Sequence, residues 1–140
     1  IQLLALWGDF TLHKNEKIPA VFVIGGIGIT PVRSIIAQAT HEKAPHRITL
    51  IYANRTRAQA AYIEELEQLA QANPNFTLVP VYTDAQGFVN ADTLRQNVPD
   101  LAAPRYYLSG PEGMVKAMRA LLMEVGADED NIKTEEFEGY

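Results

Sequence analysis

Two short stretches hold residue types suited to chemistry. Residues 21–32 read VFVIGGIGITPV, and residues 106–114 read YYLSGPEGM. In both, an apolar run ends at glycine, proline follows closely, and a helical pattern begins. Gly25, Gly26 and Gly28 carry no side chain, so a phosphate or a flat ring can approach the backbone there. The N–H groups of the following helix turn favour negative charge. A tight turn made only for packing reads the same way. The spacing departs from G-x-G-x-x-G, and Pro31 stands where a third glycine would ease helix packing. In the second stretch Gly110 and Gly113 permit close approach. Met114 is a candidate for ligand contact or for core packing. Ser109 is a poor nucleophile, because no G-x-S-x-G surrounds it.

Composition excludes several alternatives. The chain has 140 residues, net charge -5 and no cysteine. A disulfide, a zinc thiolate site and an iron–sulfur cluster are therefore ruled out. The 12 basic residues are scattered, which argues against a nucleic-acid partner. His13, His41 and His46 fall in loops at wide spacing and show no metal pattern; exposure to solvent is expected for all three. No Gly-Lys-Ser/Thr signature marks a kinase-like phosphate loop. No apolar run is long enough for a membrane span. The opening IQLLALWGDF lacks a basic start, and a first residue other than Met suggests a piece of something longer.

The elements that must position these residues follow from hydrophobic pattern. Strands are predicted at 20–24, 48–53, 77–82, 106–108 and 132–137, several apolar almost throughout, as strands covered on both faces are. Helices are predicted at 31–40, opening on Pro31; at 57–71, with Tyr62, Leu66 and Leu69 on one face; at 91–96, capped by Asn90; and at 111–125, stopped by Gly126. Such alternation predicts an α/β fold, a parallel sheet with helices on both faces. Both glycine turns then lie at the carboxyl edge of the sheet, where ligands bind in doubly wound folds. Asn54, Arg55 and Arg57 follow the second strand, where an adenosine ribose is read. With no acid before Glu64, the two cations favour a 2′-phosphate and so NADPH, while a solvated arginine pair on an exposed loop reads the same way. Tyr82, Thr83 and Asp84 close the third strand and are candidates for the adenine end. Residues 128–138 are acidic and expected to form a solvated surface.

GGIGITP, YANRTRAQAAYIEELEQL, SGPEGM and IKTEEF occur in the order of the C-terminal nucleotide domain of the ferredoxin–NADP reductase superfamily, which the chain resembles over almost its whole length. GDFTL resembles the end of that family's flavin-binding β-barrel. The resemblance implies a Rossmann-like, three-layer αβα fold with a five-stranded parallel sheet of order 3-2-1-4-5. It implies that residues 1–16 close a preceding barrel and form a linker, and that 17–140 bind NADPH or NADH. Relatives with similar loops at the second strand accept NADH. Hydride would pass from nicotinamide C4 to N5 of FAD or FMN, held by a flavin-binding domain of the same full-length protein. An electron acceptor that the sequence does not identify would follow. Gly28, Ile29, Thr30 and Pro31 would floor the nicotinamide and pyrophosphate site, and Gly110, Pro111, Gly113 and Met114 would face it. Ser109, Glu135 and Phe137 would flank the reacting rings, with Glu138 and Tyr140 as a competing pair. The implied location is the cytoplasm or the cytoplasmic face of a membrane protein. Alone, the chain would hold no flavin and have little or no reductase activity. The alternative is a nucleotide-sensing module without redox turnover.

Overall fold

The computed structural model describes residues 12–137; GDFT in the barrel-end motif, Glu138 and Tyr140 lie outside the described residues. Five strands form one parallel sheet of order β3-β2-β1-β4-β5. They are β1 (Ala20–Gly25), β2 (Ile48–Asn54), β3 (Phe76–Tyr82), β4 (Arg105–Pro111) and β5 (Ile132–Phe137). Central β1 is buried along its whole length, which explains its unbroken apolar run. β3 lies at an edge, and this tolerates Pro80, whose missing N–H a central ladder would need.

Side chains alternate between two cores. Phe22, Ile24, Leu50 and Tyr107 pack with α1 (Ile29–His41) and α2 (Ile63–Ala72). Val21, Val23, Ile51, Tyr106 and Leu108 pack on the other face with α4 (Ala91–Asn97) and α5 (Glu112–Glu124). A single turn, α3 (Thr83–Gln86), follows β3 directly. The three-layer αβα architecture and the strand order are those expected. No described helix is long and apolar enough to cross a membrane.

Three local expectations are corrected. α1 begins at Ile29, so Pro31 lies inside the first turn instead of opening it; that turn's N–H groups need no intrahelical partner, so the proline is tolerated. The helix expected over 57–71 is split. Arg57–Gln59 forms a 3₁₀ turn, and Tyr62 takes a positive φ of 61° before α2 starts. Tyr62 is consequently 43% exposed, with Arg33 stacked over its ring, while Ile63 and Leu66 face the core. His41 is exposed as expected, but His13 and His46 are each only 9% exposed. His13 hydrogen-bonds Tyr107, and His46 bonds the His13 carbonyl. A packed aromatic supplies the polar partner that a loop position does not advertise. Asn90 caps α4 in a reciprocal capping box with Thr93, and Gly126 ends α5 at φ 111°.

Candidate functional site

The carboxyl ends of β1, β2 and β4 and the start of α3 border a cavity of about 670 Å³. Gly25 and Gly26 form its floor at the end of β1, Asn54 and Arg55 its wall from β2, and Pro111, Gly113 and Met114 its wall from the β4–α5 turn. Gly26 has φ 64°, a conformation costly for any residue with a Cβ.

The bareness of Gly25 has a second cause. A Cβ there would lie 2.5 Å from Met114 Sδ, and one on Gly110 would lie 3.0 Å from the same sulfur and 3.4 Å from Gly25 N and O. The glycines let β1 and β4 approach closely while one thioether fills the space they leave. Close packing of the two strands is thus one reason for glycine at Gly25. Met114 fills this gap in the core and also lines the cavity.

Asn54 is only 9% exposed, and its side-chain amide stands beside the Tyr52 hydroxyl, two residues earlier on β2. An amide carries two N–H donors, and a donor at a cavity wall can meet a ligand oxygen. Arg55 lines the cavity with its Nε 3.4 Å from Asp84 Oδ1. Arg57 lies outside the cavity lining and makes two bonds to Glu67, of 2.8 and 2.9 Å. This pairing raises the guanidinium's pKa and lowers that of the Glu67 carboxyl, each held charged by the other. The acid missing from the local sequence is therefore present in space, as Asp84.

The remaining residues stand around this centre. Gly28, Ile29 and Pro31 are buried, and Ile29 belongs to the core under α1 without lining the cavity. Thr30 is exposed in the first turn of α1. The Gly26–Gly28 turn packs against β4, so the two glycine motifs share one rim. Ser109 is 1% exposed and pairs with Ile24 and Glu135; its Oγ has no partner among the described residues. Ser109 lies on the α1 face with Tyr107, off the cavity itself. Glu135 is partly exposed on β5. Phe137 pairs with Pro111 through its backbone.

Sequence reasoning missed Phe88. It is 84% exposed, yet it lines the cavity. The available signal was an aromatic residue directly after Gly87 in a polar stretch at the carboxyl end of β3. Thr83, expected at the adenine end, also lines the cavity.

The chain resembles known proteins in sequence and in fold. The chain is 31% identical over 146 aligned positions to one subunit of the Na⁺-translocating NADH-quinone reductase of Methylococcus capsulatus, covering 95% of this chain and 36% of that protein. It is 31% identical to a flavohemoprotein of Rhodopirellula baltica, covering 93% of this chain and 35% of that one. The chain thus spans about a third of the curated relatives it matches. Flavohemoglobin from Malassezia yamatoensis, solved with FAD and heme, superposes with a TM-score of 0.79 at 26% identity, over 93% of this chain and 35% of that chain. The FAD/NAD-binding domain of Vibrio cholerae nitric oxide dioxygenase shares the fold with a TM-score of 0.82 at 24% identity, over 93% and 55%. Residues 22–120 match the profile of the family described as oxidoreductase NAD-binding domain, and the chain belongs to that family.

Proposed function

We propose that the rim cavity binds NADH and that the chain is the nucleotide-binding unit of a flavin-dependent reductase. The observation that carries this reading is the cavity itself: glycine-floored, with a buried Asn54 amide and an exposed Phe88 at its wall. In this reading residues 17–140 form the nucleotide-binding domain, and residues 1–16 join it to a flavin domain. The chemistry that the dinucleotide supplies is hydride donation to the flavin. Phe88 offers its face to the adenine. Asn54 Nδ2 donates to a ribose or phosphate oxygen. Gly25, Gly26, Gly28 and Thr30 receive the pyrophosphate at the start of α1. Pro111, Gly113 and Met114 pack against the nicotinamide half, while Ser109, Glu135 and Phe137 flank the flavin approach. Their work is orientation and exclusion of water.

The preference for NADH over NADPH reverses the expectation from the bare sequence. Arg57 is held by Glu67, and Arg55 stands beside Asp84. A carboxylate suits a ribose diol and repels a 2′-phosphate. The name of the NADH-quinone reductase relative agrees. Catalysis needs the flavin domain, so the isolated chain turns nothing over, and on this reading it works in the cytoplasm or at the cytoplasmic face of a membrane. Calorimetry with NADH and NADPH tests the assignment. NADH is expected to bind at least about tenfold more tightly, and Asp84→Ala to narrow the ratio. Absence of binding by either nucleotide, with or without a flavin domain supplied, overturns it.

A further inference from the structure

At the opposite, amino edge of the sheet, a buried polar cluster is untouched by the function proposed above. Residues 12–19 run up to β1; Leu12 packs on the core, His46 Nε2 bonds the His13 carbonyl, Arg105 N–H donates to the Pro19 carbonyl, and the His13 ring clasps the turn between them. His13 Nε2 lies 2.5 Å from the Ile18 carbonyl, and its Nδ1 lies 2.7 Å from the Tyr107 hydroxyl on β4. The His13 N–H also donates to that hydroxyl oxygen, at 3.2 Å. An Asx turn brings the Ile18 carbonyl back to the ring: Asn15 Oδ1 accepts from Lys17 N, and Asn15 O from Ile18 N.

This geometry suits a neutral imidazole. A carbonyl only accepts, so Nε2 carries the proton. Nδ1 is then a lone pair receiving the Tyr107 O–H. Every polar group of the clasp is matched when the imidazole is neutral. A second proton on Nδ1 would make it a donor facing a hydroxyl that already receives the His13 N–H, and the hydroxyl proton would have to turn away. The charged groups facing His13 are all of one sign or neutral. His46, just before β2, sits with its ring centroid 5.4 Å away, and Arg105 of β4 and Lys133 of β5 add positive potential. On its own segment Lys14, Glu16 and Lys17 are exposed.

We propose that His13 is a proton-operated latch, which holds residues 12–19 against β4 while neutral and releases them on protonation, with the sheet left intact. Burial, chiefly, holds the latched imidazole below its usual pKa of 6.5. The sign follows: the released segment binds the proton more readily, so the latch is fully closed above about pH 6.5 and opens as pH falls below it, by at most about tenfold per unit. Under the reading proposed above, and resting on it, this segment joins the flavin domain, so release would loosen delivery of the nicotinamide at acidic pH.

Hydrogen exchange on the full 140-residue chain, corrected for intrinsic rates, tests the latch without nucleotide or flavin. Imidazole NMR follows His13 in parallel. Protection of residues 12–19 is expected to fall about tenfold per unit below pH 6.5, down to the latched midpoint, while β1 and β4 stay protected. His13→Gln keeps a donor and an acceptor but cannot titrate, so its protection should be flat with pH. Tyr107→Phe should raise the His13 midpoint toward 6.5. Protection that ignores the His13 titration overturns the proposal, as does the same pH dependence in His13→Gln, or loss of the whole sheet at the same pH. The wild-type measurement decides even if a variant fails to fold. NADH binding at the far rim is read separately, so the failure of one proposal leaves the other standing.

Discussion

Met114 Sδ occupies the space that a Cβ on Gly25 would claim. A thioether is flexible, so Gly25→Ala should fold, but with the sulfur pushed into the cavity. NADH affinity is expected to fall several-fold, and adding Met114→Ala should recover much of it. A double-mutant cycle read by calorimetry measures that coupling. At Phe88 the expectation is the reverse: Phe88→Ala leaves the melting temperature unchanged because the ring is 84% exposed. Loss of a stacked base there costs about 1–3 kcal/mol of nucleotide affinity. Glycine was readable at this scale because it punctuates a sequence. Phe88 was not, because nothing local distinguishes an aromatic side chain at a cavity wall from one in open solvent. The buried histidines were missed for a related reason: the hydroxyl that His13 reaches lies 94 residues away.

At the scale of elements, the strands were legible because sheets covered on both faces demand unbroken apolar runs. β1 and β5 lie within a residue of expectation, whereas β4 runs further, to Pro111. Helix starts were harder to read. Tyr62, Leu66 and Leu69 keep helical spacing, yet the positive φ at Tyr62 places the start of α2 after it. The cap of α4 was visible as Asn90 before an apolar-periodic stretch. Asn90→Ala should remove the capping box and cost roughly 1 kcal/mol, measurable by urea denaturation. Because α4 has only seven residues, this loss should also speed amide exchange within it.

Across the whole molecule, stability rests on two cores divided by the sheet. Leu108→Ala opens a void beneath α5 and is expected to cost about 2–5 kcal/mol. Calorimetry should register this as a drop of about 10 °C for each 3 kcal/mol in a chain of this length. Architecture and strand order were legible because right-handed crossovers leave few arrangements for alternating strands and helices. Which arginine met which carboxylate was not, since Arg55 with Asp84 and Arg57 with Glu67 are set by how loops fold over the rim.

The proline in β3 reaches beyond the chain's own folding. Pro80 cannot donate to a strand laid alongside it, so the outer margin at β3 is a poor template for recruiting a neighbour. Concentrated solutions should remain dispersed. Pro80→Val would restore a continuous row of donors and should bring a slow rise in light scattering on storage.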